Sequence, residues 1–427
     1  MLFPILALIA LVGVPLYAWS VRGRTYATFA VVILGLALPG ALLVHARLAA
    51  WSGPATAAAL GALFAYGMAS AGTHLAALVR PQLRPKAFRI LVSIPGMVFI
   101  AGGFLAGLWL LALLPLRGVL ELLGYEGTLA GLRWLDLVPF AVAAFSVVTS
   151  TRLVPELVRV TLGTEGPDAV AKVPVERYRR QRPAPLAERP LRIVQIADPH
   201  LGPWQSVGRL RRQIEDLVAR EPDLFLLTGD FLTMEGAATS GALAEAFAPL
   251  ASVADRCFAV FGNHDHEAPE EVRTALAANG VHLLIDDEAV ADTAVGPVQI
   301  VGANWVWRDR REHIQELLTR IPRRPGHLRL LLLHDPSIFR HVPPGDVDLT
   351  LSGHTHGGQL GLVSFGLDWT VLTRTNWPDH GLFAHGSNRL YVHRGTGFYG
   401  FPLRIGVPGE ASLLELILAP QAAPDPA

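Results

Sequence analysis

Residues 191–200 read LRIVQIADPH, and they show the pattern from which the fold of the second half of the chain is predicted. The mostly apolar run Leu191–Ala197 ends at Asp198 and His200. A short apolar run bounded by polar or turn residues is typical of a buried strand. The same pattern recurs up to residue 418, with helical patterns between several of the runs. Strands that alternate with helices predict an α/β domain.

The predicted elements of this domain share these two patterns. The strands are Leu191–Ala197, Leu224–Thr228, Cys257–Phe261, Val298–Gly302, Leu328–Leu333, Val347–Leu351, Leu390–His393 and Ser412–Leu418. The helices cover about 206–220, 241–254, 269–279 and 310–320.

Five of the predicted strands are followed by side chains that can bind a metal ion, namely Asp198 with His200, Asp230, Asn263, His334, and His354 with His356. Strand ends at one edge of an α/β sheet lie close together, and ligand sites form there. A single Gly-Asp after a strand is usually a turn, and one histidine alone is usually structural. Five such clusters in one domain are much harder to explain by packing. The sequence therefore predicts a metal centre.

The types of these side chains restrict both the metal and the reaction. Asp, Asn and His offer oxygen and nitrogen donors without a thiolate, which suits Mn²⁺, Fe or Zn²⁺, with Mn²⁺ as the first candidate. Two ions about 4 Å apart can bind a phosphate, acidify a water and offset charge during in-line attack, and they need a bridging carboxylate. Asp230 is the natural bridge. His264 is predicted to protonate the leaving oxygen, with Asp265 to orient it.

The order of the clusters resembles a known signature. Asp198-Pro199-His200, Gly229-Asp230, Gly262-Asn263-His264-Asp265, His334 and Gly353-His354-Thr355-His356 resemble the five blocks of the calcineurin-like metallophosphoesterases, over about residues 190–418. The extension His356-Gly357-Gly358-Gln359 and the later Tyr391-Val392-His393-Arg394-Gly395 are similar to a membrane-associated bacterial subgroup and to transmembrane proteins with a metallophosphoesterase domain. Pro199 departs from the family, in which an apolar residue such as leucine is commoner.

The resemblance implies a four-layer αββα sandwich, in which helices flank two central sheets. It implies that one metal is held by Asp198, His200, Asp230 and His356, and a second by Asp230, Asn263, His334 and His354. It also implies that His264 is the acid that contacts the phosphate.

Two further regions are candidates for substrate binding, together with the ligand Asn263. Arg394 offers a bidentate contact to phosphate oxygens, with a solvated arginine as the equal alternative. Leu360–Asn388 follows the metal histidines without a recognisable motif and is expected to shape the substrate pocket. Trp305 and Trp307 are expected either to cap a lipid-accessible pocket or to pack in the core.

The first 152 residues have the composition of a membrane protein. The chain of 427 residues is 51% hydrophobic and 17% charged, and residues 1–150 contain three acids, Glu121, Glu126 and Asp136. We expect an α-helical bundle that acts as an anchor and contains no buried charge pair. A span needs about 20 mostly apolar residues. Five stretches qualify or nearly qualify, and they are 2–20, 25–46, 54–79, 90–115 and 134–152.

Basic residues in the loops predict the orientation of this bundle. The loops after the first and third spans, and the segment after the fifth, carry the most arginine and lysine. Everything after residue 152 is therefore expected in the cytoplasm, at a bacterial-type inner (plasma) membrane. Residues 153–190 are interpreted as an interfacial and basic linker, with Arg159 facing lipid head groups. Residues 191–420 are the predicted phosphoesterase domain, and 421–427 a disordered tail.

Charge and cysteine content exclude other classes. The formal net charge of zero supports no nucleic-acid partner. The single Cys257 excludes an intrachain disulfide and a Cys-rich zinc site.

Three functions fit the remaining observations, and the oligomeric state stays open. The first is a membrane-anchored hydrolase of phosphodiester or pyrophosphate bonds in a lipid or a nucleotide-linked lipid precursor. The second is a phosphodiesterase for a soluble substrate such as a cyclic nucleotide. The third is a non-catalytic membrane receptor or scaffold, which the complete ligand set disfavours.

Overall fold

The computed structural model describes residues 2–179 and 183–418. The chain divides into two units, the first comprising Met1–Ser150 with Gly400–Arg404 and the second Thr151–Tyr399 with Ile405–Ala427. The predicted tail 421–427 lies outside the described residues, as does Arg180 of the predicted linker.

The chain up to Thr151 forms five helices that are long and apolar enough to cross a membrane. They are α1 Leu2–Val21, α2 Arg24–Trp51, α3 Pro54–Ala77, α4 Lys86–Leu122 and α5 Glu126–Thr151. A π-helical turn, Arg89–Ser93, lies within α4, and a 3₁₀ turn, Leu132–Leu137, lies within α5. The prediction of five apolar helices is confirmed, although α4 and α5 are longer than expected.

Small residues lie between these helices, while large apolar side chains such as Leu8 and Leu36 are exposed. Gly40 of α2 lies so close to α4 that a Cβ atom there would be 2.2 Å from the carbonyl oxygen of Gly103 and 2.4 Å from the nitrogen of Gly107. Lipid is as apolar as leucine, so membrane helices associate through the close packing of small residues. A Cβ atom at Gly103 would likewise lie 2.5 Å from the carbonyl oxygen of Ala37, so the contact between α2 and α4 depends on glycine at both Gly40 and Gly103.

The expectation that the bundle contains no buried charge pair is wrong. Asp136 is fully buried, and its carboxylate accepts hydrogen bonds from Arg47 Nε at 3.0 Å and from the Arg117 guanidinium. Removing a carboxylate from water is costly unless it is paired. The partners are 89 and 19 positions away in the sequence, so no local pattern shows the pairing. The contact joins α2, α4 and α5.

The second unit is built from strands and shorter helices. In chain order the strands are β1 Leu153–Leu162, β2 Ala171–Lys172, β3 Glu176–Tyr178, β4 Leu191–Ile196, β5 Leu224–Leu227, β6 Cys257–Ala259, β7 His282–Leu283, β8 Asp287–Thr293, β9 Gly296–Ala303, β10 Leu328–Leu333, β11 Leu349–Ser352, β12 Gly381–His385, β13 Asn388–Val392 and β14 Gly409–Leu418. The helices are α6 Val207–Val218, α7 Met234–Ala237, α8 Ala242–Phe247, α9 Pro269–Ala278 and α10 Arg310–Arg320.

The strands form two seven-stranded mixed sheets that pack face to face. Their orders are β3-β1-β14-β4-β5-β6-β7 and β2-β12-β13-β11-β10-β9-β8. One apolar core contains Val158 and Leu226 of the first sheet together with Leu332 of the second. On the outer face of the second sheet, Leu331 packs with Ile314 of α10. The predicted α/β architecture, with two sheets between helices, is confirmed.

The linker prediction is wrong for residues 153–162. They form β1, which lies between β3 and β14 inside the first sheet. Val158, Val160 and Leu162 alternate with less buried residues, a period-two pattern typical of a strand. Arg159 does not face lipid head groups in this arrangement, because its Nε is 2.9 Å from the carboxylate of Glu415, 256 positions away. The linker also contributes the short strands β2 and β3.

Candidate metal centre

Strands of both sheets deliver the predicted ligands. The first sheet contains the parallel strands β4, β5 and β6, and Asp198, Asp230 and Asn263 follow their carboxyl ends. The second contains the parallel strands β10 and β11, which are followed by His334 and His354. The structure brings these strand ends together into two groups, within each of which the ligand atoms lie within 4.8 Å of one another. The groups are Asp198, His200 and His356, and Asp230, His334 and His354.

Asp230 belongs to the second group and also approaches His200 of the first. Its Oδ2 atom is 3.1 Å from Nε2 of His334 and 3.9 Å from Nε2 of His200. The Nε2 atoms of His200 and His356 are 3.2 Å apart. Donor atoms that share one ion at about 2.1 Å lie about 3.0–3.5 Å from one another. The distances of 3.1 and 3.2 Å lie in this range and that of 3.9 Å lies slightly above it, with Asp230 placed to bridge two ions.

The ligand backbones are in an unusual conformation. The φ angles are 50° at Asp198, 46° at His200, 58° at Asp230, 69° at His354 and 51° at His356. A non-glycine residue in this left-handed region costs about 1–3 kcal/mol and is found mostly where function requires it. Nine non-glycine residues in the described part of the chain have positive φ, so most of this strain is concentrated at the candidate site.

Two glycines of the sequence blocks leave room for neighbouring carboxylates. A Cβ atom at Gly262 would lie 2.2 Å from Oδ1 of Asp230, and one at Gly353 would lie 2.3 Å from Oδ2 of Asp198. No larger residue fits at either position without displacing a ligand. The blocks Gly-Asn-His-Asp and Gly-His-Thr-His thus begin with glycine for a steric reason.

The protonation of the histidines suits a metal site. Burial lowers the pKa of His200 to about 3, which keeps its imidazole neutral as a ligand must be. Burial also lowers the pKa of His334, but the charge of Asp230 outweighs this effect and raises that pKa to about 10. A cation bound by both residues would replace the proton. His334 Nδ1 lies 2.6 Å from the carbonyl oxygen of Thr228, which directs Nε2 to the site.

Asn263 completes the donor set. Its Oδ1 atom is buried and has no hydrogen-bond partner among the described residues. Leaving a buried acceptor unpaired costs about 1–3 kcal/mol. An open amide oxygen at this position fits a role as a ligand for a cation.

His264 lies beside the ligand groups, with its ring 5.4 Å from that of His200. Its Nδ1 atom is 2.9 Å from Oε1 of Glu267. Burial lowers the pKa of His264, but the hydrogen bond with Glu267 and the charge of Asp230 outweigh it, so the pKa lies above its usual value. A protonated, partly exposed imidazole at the edge of a metal site can act as a general acid.

The predicted role of Asp265 needs correction. Its buried carboxylate accepts hydrogen bonds from the backbone nitrogens of Asp230, Phe231 and Gly262, at 2.7, 2.8 and 2.8 Å. It therefore braces the turns after β5 and β6 rather than the ring of His264. Glu267, which contacts that ring, was missed, although its spacing of three residues from His264 on a helical turn is a usable signal.

Comparison with known proteins agrees with this geometry. Residues 191–358, which include every strand-end cluster, match the family model of the calcineurin-like phosphoesterases. The second unit carries a calcineurin-like phosphoesterase domain. Proteins of this family use divalent metal ions, and the two donor groups are the corresponding candidate ligands.

Curated proteins from several organisms share this phosphoesterase domain. Phosphodiesterase YaeI of Escherichia coli (strain K12) is 29% identical over 233 residues, 53% of this chain and 83% of that protein. The uncharacterized metallophosphoesterase YkoQ of Bacillus subtilis (strain 168) is 29% identical over 54% of this chain and 85% of its own length. A transmembrane protein with metallophosphoesterase domain from Bos taurus is 29% identical over 62% of this chain and 59% of that protein.

Arg394 lies inside the phosphoesterase domain and is not available to a substrate. Its side chain is fully buried, with Nη2 2.9 Å from Glu156 and Nε 3.6 Å from Glu410. Two carboxylates neutralise it, so the bidentate phosphate contact expected from the sequence is not supported. Glu156 is the partner that the sequence reasoning missed, because its segment was assigned to the linker.

Aromatic rings surround the histidines of the phosphoesterase site. The ring of Tyr399 stacks on that of His200, with 5.4 Å between the ring centroids, and its centroid lies 4.8 Å from that of the His264 ring. Trp377 stacks on His354 at 5.4 Å, and Trp305 lies 5.2 Å from the same ring. Tyr399 was missed because it belongs to no predicted block. Trp377 lies in the segment Leu360–Asn388 that was expected to shape the pocket, but no motif singled it out.

Proposed function

We propose that this chain is a membrane-anchored, two-metal phosphoesterase that hydrolyses phosphodiester or pyrophosphate bonds of a lipid or a nucleotide-linked lipid precursor. The observation that carries the proposal is the pair of donor groups joined by Asp230, with His264 beside them. The printed name of the Escherichia coli relative, a phosphodiesterase, favours a diester substrate. The five apolar helices and the Bos taurus relative support a membrane location.

The donor set defines how the ions would be held. Bound ions would bind the phosphate oxygens and lower the pKa of a water that attacks phosphorus. The absence of a thiolate among the donors favours Mn²⁺, Fe or Zn²⁺, and Mn²⁺ is our choice. One ion would be held by Asp198, His200, Asp230 and His356, and the other by Asp230, Asn263, His334 and His354.

The side chains around the ligands have separate tasks. His264 would give its proton to the oxygen that leaves phosphorus. Because Glu267 engages Nδ1 of His264, the Nε2 atom remains for the substrate, and the carboxylate favours the charged imidazolium. Asp265 would hold the backbone turns that carry Asp230 and Asn263 in place.

A substrate panel tests this function. Purified full-length protein with Mn²⁺ would be assayed on an aryl phosphodiester, an aryl monoester, a cyclic nucleotide and nucleotide-diphosphate lipids. We expect diester or pyrophosphate cleavage to exceed monoester cleavage, and Asp230→Ala to abolish it. Full activity of that variant would overturn the two-metal proposal. A preference for the cyclic nucleotide would replace the lipid with a soluble substrate.

We further propose that the phosphoesterase domain lies in the cytoplasm, at an inner (plasma) membrane of the bacterial type. The support is the alternation of arginine-rich and arginine-poor loops across five spans. A cysteine introduced near the C-terminus should resist a membrane-impermeant maleimide in intact cells and react after lysis. Ready labelling in intact cells would place the domain on the other side.

A further inference from the structure

The chain after the metal histidines forms an ordered hairpin with apolar side chains on its surface. In this apolar hairpin, Leu360–Val371, the Leu362 nitrogen donates to the Trp369 carbonyl at 2.8 Å and the Val371 nitrogen donates to the Leu360 carbonyl at 3.0 Å. A 3₁₀ turn, Val363–Phe365, lies at the tip. Five large apolar side chains are exposed, and the exposed fractions are Leu362 38%, Phe365 77%, Leu367 56%, Trp369 44% and Val371 47%.

The apolar hairpin is continuous with the candidate metal centre. It begins at Leu360, four positions after the ligand His356 (360 minus 356), and the chain that leaves it reaches Trp377, whose ring stacks on that of His354. The hairpin is therefore linked to a metal ligand on each side. The chain joins its start to His356, and the ring of Trp377 beyond its end contacts His354.

The base of the apolar hairpin is held by polar contacts. Its one acid, Asp368, lies 2.7 Å from Nζ of Lys172 and 2.9 Å from Nε2 of His380. Thr370 donates a hydrogen bond to Asp379 at 2.7 Å. These contacts hold the backbone and pair the Asp368 carboxylate, whose side chain is 60% exposed, with a lysine and a histidine, so apolar side chains make up most of the exposed surface.

Composition and charge indicate what covers this surface. A contiguous exposed apolar patch marks an interaction site. Phe, Leu and Trp with basic neighbours are typical of segments that enter the head-group region of a bilayer. Two exposed arginines, Arg340 and Arg374, lie near Trp377. The Arg340 guanidinium donates a hydrogen bond to the carbonyl oxygen of Asn376. The charge of the two arginines complements anionic head groups.

Chain connectivity gives an independent reason to choose lipid over a soluble partner. The same chain carries five apolar helices long enough to span a bilayer. Tyr399, which stacks on His200, is followed directly by Gly400–Arg404 of the first unit, in which the Arg404 nitrogen donates to Ser150 at 2.9 Å. The covalent chain thus links the metal centre to the membrane unit within a few residues.

We propose that the apolar hairpin Leu360–Val371 inserts into the lipid interface and presents the phosphoester of a membrane lipid to the metal centre. The identity of the substrate rests on the proposed function, whereas the insertion of the hairpin does not. Phe365 and Leu367 enter the acyl region, and Arg374 binds the head groups.

Lipid contact can be measured directly on the full chain. Phe365→Cys would be labelled with an environment-sensitive dye in nanodiscs that hold one copy each; Cys257 is buried and will not compete. Val295→Cys is the matched control, because Val295 is also exposed, 40%, and precedes β9, at the edge of the sheet opposite the ligands. We expect a blue shift and strong quenching by spin-labelled lipid at position 365, and neither at position 295.

Each other outcome decides against the proposal. Equal behaviour at the two positions would overturn it. A blue shift that needs two copies in one disc would assign the surface to a second copy of the chain. The protein could still hydrolyse phosphoesters in either case, so the proposed function is tested separately.

Activity distinguishes lipid presentation from lipid contact. The double variant Phe365→Asp/Trp369→Asp should lower the ratio of turnover of a vesicle-borne lipid phosphoester to that of a water-soluble aryl diester by about tenfold or more, because charged side chains oppose insertion. Val295→Asp should leave the ratio unchanged. An unchanged ratio in the double variant would overturn presentation of the substrate. If the wild-type protein hydrolysed none of the phosphoesters tested, the proposed function would be refuted instead.

Discussion

The role of Asp265 can be tested by two substitutions of graded effect. Its Oδ2 atom accepts hydrogen bonds from the nitrogens of Asp230 and Gly262, and its Oδ1 atom accepts one from Phe231. Asp265→Asn keeps the shape and one oxygen, so at least one of the three bonds is lost. Asp265→Ala removes all three.

The magnitude follows from the three buried donors. Each unsatisfied donor costs about 1–3 kcal/mol. The Asn variant should therefore lose about 1–3 kcal/mol of stability, and the Ala variant about 3–9 kcal/mol if no water enters. Domains are stable by about 5–15 kcal/mol in total. The Asn variant should fold with a Tm lower by roughly 2–10 °C, while the Ala variant should fold poorly or not at all.

The assay combines thermal unfolding of the purified full-length protein, Mn²⁺ titration and steady-state kinetics on an aryl diester. Asp265→Asn should lower Tm and weaken Mn²⁺ binding together, because the braced turns carry Asp230 and Asn263. Glu267→Gln is the contrasting variant, since it changes the partner of His264 on a half-exposed side chain. It should lower kcat and leave Tm and Mn²⁺ binding unchanged.

One result would refute the bracing role. If Asp265→Asn lowered kcat as Glu267→Gln does, with Tm and Mn²⁺ binding equal to those of the wild type, Asp265 would act through His264. The role predicted from the sequence alone would then be correct.

Three further predictions concern other parts of the chain. Gly40→Ala should lower the Tm or prevent folding, because its Cβ would overlap the backbone of α4. Gly35→Ala is the control and should leave the Tm unchanged, since nothing lies within 4 Å of the new atom. Equal effects of the two substitutions would contradict the close helix contact. Asp136→Asn should cost about 3 kcal/mol, the low end for breaking a buried ion pair because one arginine partner is one-third exposed, and an unaltered Tm would show that the pairing adds no stability. Burial raises the pKa of Asp379, but its hydrogen bond with His380 outweighs this and holds the pKa below its usual range. The stability due to this carboxylate is therefore full above about pH 5 and lost as pH falls below about 4. The Tm difference between wild type and Asp379→Asn should narrow on acidification. A difference that widened would show that the pKa of Asp379 is raised by folding and not lowered.

The candidate ligands could be predicted because their signals are local. The run that forms β4 and the residues Asp198 and His200 after it are adjacent in the chain, and the same holds for Asp230 after β5. A strand pattern followed by a metal-binding side chain needs no knowledge of distant residues. The five apolar helices were predictable for the same reason, since composition over about 20 residues decides whether a segment suits lipid.

Contacts between distant segments could not be predicted in this way. β1 pairs with β14, and Glu156 meets Arg394, across most of the length of the chain. A local pattern shows whether a segment alternates, but not which strand will pair with it. The linker was misassigned because its partner strand β14 is distant in the sequence, and Arg394 was misassigned because its partner Glu156 lies in that linker.

Residue type and short-range periodicity are enough to predict which residues can bind metal and which segments suit a membrane. The direction in which a side chain faces depends instead on the tertiary structure. The hairpin around Phe365 has the apolar composition of a core segment, and it is exposed because none of the other described elements packs over it. Asp265 follows His264 directly in the sequence, which suggested a catalytic role. Its carboxylate instead holds two turns in place, because three backbone nitrogens from those turns donate hydrogen bonds to it. Exposure and hydrogen bonding depend on the arrangement of several chain segments in space, and no single segment contains that information.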